Sequence, residues 1–199
     1  RVTTSQVLEV TQMALLGIVN CALVHKLNMA GVKSIGLSGH DVNLISADFI
    51  NKAEMGYVGE VKQVNTNFIY SLLDLEITPV IAPIGVDNKG NTYNINADLV
   101  ASAVASALKV DMLVLLSDID GFYQDFEDKN SLVAQLSVHQ IDEMLLANQI
   151  SGGMIPKLSA CSQAIRHGVG SAHIINGNKP DGIISLAHGG TTIGTTVIK

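Results

Sequence analysis

The chain has 199 residues, of which 47% are apolar and 15% charged, with no tryptophan and a formal net charge of -6. That length suits one domain or a compact pair of lobes, with a core built from Val, Ile, Leu and Ala rather than aromatic rings. The negative balance and the lack of any Lys/Arg cluster argue against a nucleic-acid surface and against adhesion to an anionic membrane, which leaves small molecules as partners.

In chain order, Thr4 is placed to cap a helix from Ser5 to about Met29. Its most apolar stretch, Met13 to Val24, is too short to cross a bilayer and is flanked by Glu9, Gln12 and Lys26. A helix apolar on nearly every side is either buried outright or lies at a subunit interface. Cys21 falls within it and Cys161 within a later helix. With no CxxC pair and no histidines at ligand spacing, both read as buried free thiols in a reducing compartment.

"GVKSIGLSG" reads as a strand, and the alternation in "LISADF" and "YVGEVKQV" around Gly56 as a hairpin outside the main sheet. A helix from Thr66 to about Glu76 leads to the strand "PVIAPIGV". The turn "DNKGN" returns through "TYNI" to a helix over Ala97 to Lys109. "DMLVLLSDIDG" is a continuous apolar run of the kind buried on both faces of a parallel sheet. Helices at Val138 to about Asn148 and Met154 to about His167 follow, then the strand "SAHIING", a helical "DGIISLA" and the strand "TTVIK". His173 reads as a strand histidine with a backbone partner. Strands alternating with helices predict an α/β sandwich on a mainly parallel sheet.

Three segments sit where such sheets gather ligands, at strand ends that enter helix N-termini. In "SGGMIPK", two glycines leave backbone N–H groups uncovered, and Lys157 stands at a helix start that already carries partial positive charge. A bound anion accounts for that arrangement; a solvated lysine after a glycine loop is the plainer alternative. "LLSDIDG" offers Ser117, Asp118 and Asp120 as acceptors for a ribose or a metal-bound phosphate, or is a polar turn. "GLSG" matches neither dinucleotide nor P-loop spacing. In "YNINAD" a helix cap needs one polar residue, and Asn94, Asn96 and Asp98 exceed that need. Scattered histidines with no GxSxG make a nucleophilic triad or zinc centre a poor reading.

Together "RVT", "GLSG", "GYVGEVKQVN", "PVIAPIGVD", "YNINAD", "LLSDIDG", "SGGMIPK", "AHII" and "IGTTVI" resemble the amino acid kinase family, specifically its N-acetylglutamate kinases, in order and spacing along nearly the whole chain. The resemblance implies a three-layer α/β/α sandwich with a mainly parallel central sheet, forming a single domain over residues 1–199. Within it, roughly 1–86 would be what remains of an amino-acid-binding lobe and 87–199 a nucleotide-binding lobe. It implies transfer of the γ-phosphoryl group of ATP, accompanied by Mg2+, to the side-chain carboxylate of N-acetyl-L-glutamate in arginine synthesis. A cytoplasmic homodimer with no metal site of its own is expected.

Carried over residue by residue, Arg1 corresponds to the arginine that grips a substrate carboxylate and Asn94 to an amide on the acetylglutamate. Lys157 corresponds to the lysine on the transferring phosphoryl group, and Asp98 to the carboxylate that orients the catalytic lysines. Ser117, Asp118, Gly121 and Ser151 fall in the nucleotide loops. The family's Lys-x-Gly-Gly strand and triple-glycine loop have no counterpart in the 199 residues. Their place would precede Arg1, so the chain reads as an N-terminally incomplete kinase with one catalytic lysine missing and impaired activity. Sister kinases acting on glutamate, aspartate, an aminoadipate derivative, carbamate or UMP are the alternatives, as is a non-catalytic nucleotide-binding chain.

Overall fold

The Thr4 hydroxyl accepts the Val7 N–H at 3.2 Å and starts the first helix, in a computed structural model that describes residues 2–188 and 194–199. The helix runs without a break through α1 (Ser5–Gln12), a π-helical segment (Met13–Asn20) and α2 (Cys21–Met29). The widened π turns seat Asn20, whose Nδ2 donates to the Val80 carbonyl at 2.8 Å. An ideal Cβ on Gly36 would lie 1.9 Å from Asn20 Oδ1, so the helix docks where the strand beneath it has no side chain.

The rest of this helix is more open than its composition predicts. Leu8 and Asn20 are its buried residues, while Val10, Ile18 and Met29 are 60%, 69% and 76% exposed. Cys21 is exposed too, against expectation; Cys161 is buried as expected. The full 25-residue helix, unlike its apolar centre Met13 to Val24, is long and apolar enough to cross a bilayer. Core helices of soluble proteins meet the same criterion but are mostly buried, whereas the most apolar window of this one is 11% buried.

The chain divides into two compact units, Arg1–Ala103 and Val104–Lys199. In the first, β1 (Ser34–Leu37) pairs in parallel with β4 (Thr78–Ile81). A second sheet has the order β3-β2-β5-β6, from β2 (Ile45–Phe49), β3 (Gly59–Val64), β5 (Ile84–Val86) and β6 (Thr92–Asn94). The expected hairpin is thus β2–β3, and β2 pairs with β5 to join it to this sheet. A single helical turn, α3 (Lys52–Met55), closes it. "PVIAPIGV" is two strands rather than one, because Pro83 has no N–H to give a ladder and the chain breaks there. Asn65 caps α4 (Thr66–Asp74) through the Phe68 N–H.

The β5–β6 turn is wound around Asp87. Its carboxylate accepts from Asn91 Nδ2 and Tyr93 Oη, each at 2.6 Å, and from the Lys89 and Asn91 N–H groups, each at 2.8 Å. The Tyr93 ring is fully buried and packs edge-on to Phe49, with centroids 4.8 Å apart. Helix α5 (Ala97–Leu108) crosses the division between the units.

In the second unit the sheet order is β7-β9-β10-β8, from β7 (Met112–Ser117), β8 (Gln135–Ser137), β9 (Ser171–Asn176) and β10 (Gly194–Ile198). β7–β9 and β8–β10 are parallel and β9–β10 antiparallel. β7 lies at the edge of this sheet and alternates, with Leu113 and Leu115 buried but Leu116 53% exposed. The expectation of burial on both faces therefore fails. β9 takes that place instead, its Ala172, Ile174 and Ile175 fully buried. His173 is bonded to the Thr196 and Ser171 hydroxyls at 3.1 and 2.9 Å.

Among the described residues the α-helices α6 (Val138–Leu146), α7 (Met154–Arg166) and α8 (Pro180–Ala187) follow. The capping box of Ser137 and Gln140 starts α6. α7 buries Leu158, Ala160, Cys161, Ala164 and Ile165, and its packing lies against α6 and the strands β7, β9 and β10. Mostly parallel strand pairs covered by helices make this an α/β sandwich fold.

The hydrogen bonds from Asn91 and Tyr93 hold the Asp87 carboxyl well below the ordinary carboxylate range. A depressed folded-state value contributes stability that is complete above the unfolded pKa of about 4 and is lost as pH falls below it. Urea midpoints should therefore fall on acidification below about pH 4. Asp87→Asn should lower the midpoint at pH 7 and flatten that acid limb; an unchanged acid limb would remove Asp87 as its source.

Candidate active site

In the first unit three of the segments matched by resemblance meet at one backbone strap. The Thr3 N–H donates to the Met55 carbonyl at 2.9 Å, and its own carbonyl accepts the Tyr57 N–H at 2.8 Å. Gly56 lies between them at φ 65°, where an ideal Cβ would stand 2.2 Å from the Thr3 oxygen, so a side chain is barred by both conformation and space. Asn94, the last residue of β6, donates through Nδ2 to Thr3 Oγ1 at 3.2 Å, and its N–H bonds the Tyr57 carbonyl at 2.9 Å. "RVT", "GYV" and "YNI" thus meet at one point. Arg1 itself lies outside the described residues.

Asn96 is the cap of α5, its Oδ1 accepting the Asp98 and Leu99 N–H groups at 2.9 and 3.2 Å. Asp98 stands half-buried in the first helical turn, where the helix dipole favours a carboxylate. Asn94 and Asp98 belong to the first unit and Lys157 to the second, so the pairing of Asp98 with Lys157 remains an expectation of the resemblance.

In the second unit four matched residues share one cleft of about 420 Å³: Ser117, Asp118, Ser151 and Lys157. Ser117 ends β7, and its hydroxyl donates to Asp118 Oδ1 at 3.2 Å. Ser151 lies in the loop before α7. Gly152 takes φ 58° there, and the N-cap Gly153 has no side chain to bond the first helical N–H groups. Lys157 stands half-buried on the first turn of that helix. A helix N-terminus without a side-chain cap, joined to an ammonium group, forms an anion cradle.

Gly121, the fifth matched residue, is not on the cleft surface but behind it. An ideal Cβ there would stand 2.6 Å from Thr195 Oγ1 and 2.8 Å from the Thr195 nitrogen. Glycine lets the loop press onto β10, where Thr195 Oγ1 accepts the Phe122 N–H at 2.8 Å and donates to the Val133 carbonyl at 2.7 Å. Behind the cleft, Asp120 accepts from Lys179 Nζ at 2.7 Å, Asn176 Nδ2 at 2.9 Å and Tyr123 Oη at 3.1 Å. Those contacts, Lys179 first, hold the Asp120 carboxyl below its usual range, while burial and then Asp120 push the Tyr123 phenol up.

The aromatic wall is not among the residues expected from the sequence. Phe122, Tyr123, Phe126 and Met154 line the same cleft, and the Lys129 ammonium stands 5.0 Å from the Tyr123 ring centre and 4.3 Å from that of Phe126. The "GFY" after "DID" was its signal, rings placed directly after the acceptor-rich turn. A cleft with rings at one side and an anion cradle at the other suits a planar base carrying phosphates.

The amino acid kinase family matches residues 1–176, and the chain belongs to it. It is similar to the acetylglutamate kinase of Campylobacter hominis, with 46% identity over 92% of this chain and 64% of the relative. It is 40% identical to the acetylglutamate kinase of Methanococcus aeolicus, over all of this chain and 71% of that protein. Among solved structures, smu.665 from Streptococcus mutans UA159 superposes with a TM-score of 0.85 at 30% identity, covering the whole chain and 74% of its own. The chain thus spans about two thirds of the length of these curated relatives.

Replacing Thr195 with Val leaves the Phe122 N–H and the Val133 carbonyl without this partner, at a cost of about 1–3 kcal/mol for an unmet buried group. Thr195→Val should therefore lower the urea midpoint, and Thr195→Ser, which restores the hydroxyl, should recover most of it. Equal loss in both variants would assign the effect to the methyl group instead.

Proposed function

We propose that the protein is an acetylglutamate kinase, transferring the γ-phosphoryl group of ATP to the side-chain carboxylate of N-acetyl-L-glutamate in arginine biosynthesis, in the cytoplasm. The observation that carries this reading is the cleft joining Lys157 and the open α7 N-terminus to Ser117, Asp118 and an aromatic wall. Support for the acceptor comes from the names of the curated relatives and from Asn94 lying against the "RVT" strap.

The substrate carboxylate is already a nucleophile, so the reaction needs alignment and charge neutralisation rather than a covalent enzyme intermediate. In this reading Arg1 grips a substrate carboxylate, a task suited to a bidentate donor, and Asn94 holds the acetylglutamate. Lys157 and the α7 N–H groups stabilise charge on the moving phosphoryl oxygens, and Asp98 orients the lysine. Ser117, Asp118 and Ser151 hold the nucleotide, with Gly121 shaping the loop. Mg2+ would travel with ATP and neutralise its phosphate oxygens, with Asp118 as a carboxylate that lines the cleft. No cluster of three or more His, Cys, Asp or Glu residues among the described residues could hold a metal by itself, and Mg2+ beside phosphates needs only one or two carboxylates.

The reading is tested by trapping acylphosphate with hydroxylamine. Lys157→Ala should lower what turnover there is by roughly 10²-fold or more while leaving the circular dichroism spectrum unchanged. Hydroxamate from glutamate, aspartate or carbamate in place of N-acetylglutamate would move the assignment to a sister kinase, and an undiminished rate would remove Lys157.

As for partners, we read the protein as a homodimer built on the open face of the first helix, where Val10, Met13, Ile18 and Val19 are each more than half exposed. A self-complementary apolar patch is the ordinary basis of a twofold interface. Sedimentation should give a dimer that Ile18→Asp converts to monomer. A monomer that floats with liposomes would instead assign this face to a membrane.

A further inference from the structure

We propose that Asp120 is a positioning residue for the nucleotide: its carboxylate, gripped from behind by Asn176 and Lys179, fixes the Tyr123 ring at the wall of the cleft. This rests on the nucleotide reading of that cleft. Tyr123 lines it and Asp120 does not; the two are joined by the phenol, which donates to Asp120 Oδ2 at 3.1 Å. The other carboxylate oxygen is taken twice, by Asn176 Nδ2 at 2.9 Å and by Lys179 Nζ at 2.7 Å. With both oxygens engaged, the carboxylate plane is set and so is the direction from which it accepts the phenol.

What grips Asp120 is itself anchored. Asn176 is the last residue of β9, Lys179 precedes the first residue of α8, and the Gly177 N–H between them bonds the Ser117 carbonyl at 2.8 Å. The backbone of Asp120 lies close against β10: an ideal Cβ on Gly194 would stand 2.9 Å from the Asp120 carbonyl oxygen and 2.3 Å from that of Ile174. The ring is therefore held at its hydroxyl by the β9–α8 connection and approached on its face by Lys129.

As a simple ion pair, Asp120–Lys179 would carry little, since the lysine side chain is 58% exposed and such pairs contribute weakly. The aspartate is less exposed, at 26%, and its third donor is a residue of the cleft. A ring restrained before ligand arrives spares the ordering cost of binding. Asp120 thus acts on affinity through Tyr123.

The test is calorimetric titration of the chain with Mg2+ and AMP-PNP, alongside urea midpoints. Tyr123→Phe keeps the ring and loses the tether; Asp120→Ala loses the acceptor. Each should weaken binding by about tenfold, the size of one hydrogen bond to a charged acceptor. The double variant should be no weaker than the worse single one, because both act through one ring. Lys179→Met should weaken binding by a smaller factor that vanishes in the Tyr123→Phe background. A purely structural Asp120 would lower the urea midpoint without this non-additive pattern. If Asp120→Ala does not fold, Tyr123→Phe and Lys179→Met still decide the matter. Wild-type affinity in Tyr123→Phe, or additive losses, would overturn the proposal alone; no binding by the unaltered chain would overturn the nucleotide reading and the proposal with it.

Discussion

The loop that follows β7 depends on one hydroxyl. Thr195 is fully buried, and its Oγ1 both accepts the Phe122 N–H and donates to the Val133 carbonyl. It thereby closes the two ends of the 122–133 excursion onto β10. The contact is possible only because residue 121 is glycine, as an added Cβ would collide with that same hydroxyl. With the loop pinned there, Ser117 and Asp118 are left at the front of the cleft and Asp120 at its back, and Phe122 and Tyr123 turn toward the space before α7. A buried hydroxyl that satisfies two backbone groups costs little, while leaving those groups unmet costs much. The loop has little freedom to choose another path.

The first unit solves a similar problem differently. The strap of Thr3 across Met55 and Tyr57 is a backbone ladder rather than a side-chain pin, and Gly56 supplies the left-handed turn it needs. Asn94 is then tied to Thr3 by its amide. In both units a glycine removes the side chain that would block a close approach, and a threonine hydroxyl engages a residue or loop of the candidate site. The polar residues that face a ligand in the proposed reading are thus held by neighbours that do not face it.

The fold was largely readable from residue pattern, and the misses have specific physical causes. Caps at Thr4, Asn65 and Ser137 and the helices they start are local signals, decided within a few residues. The break of "PVIAPIGV" was equally local, since Pro83 forbids a ladder bond, but an unbroken apolar run masked it. The edge position of β7 was not legible, because strand order depends on partners far away in sequence: β9 lies between β7 and β10. Exposure of the first helix was hidden for a related reason, as composition reports how apolar a surface is and not what covers it. Within the cleft, the residues carrying charge or glycine stood out in the sequence, and the aromatic wall did not. Rings read as core until a structure places them at a surface.

The start of α7 holds the remaining step. A lysine in the first turn opposes the helix dipole, and the N-cap Gly153 gives the leading N–H groups no side-chain acceptor. Taken by itself, this end is less stable than a side-chain-capped one by roughly a few tenths of a kcal/mol, since glycine is a tolerable cap. An anion arriving at the cradle supplies the missing acceptors and reverses the electrostatic penalty together, so ligand binding and the ordering of this turn are linked in sign. The buried seam of Leu158, Ala160, Cys161, Ala164 and Ile165 holds the rest of α7 in place meanwhile. The helix can therefore keep an electrostatically unfavourable end ready for a phosphate without loosening the unit that carries it.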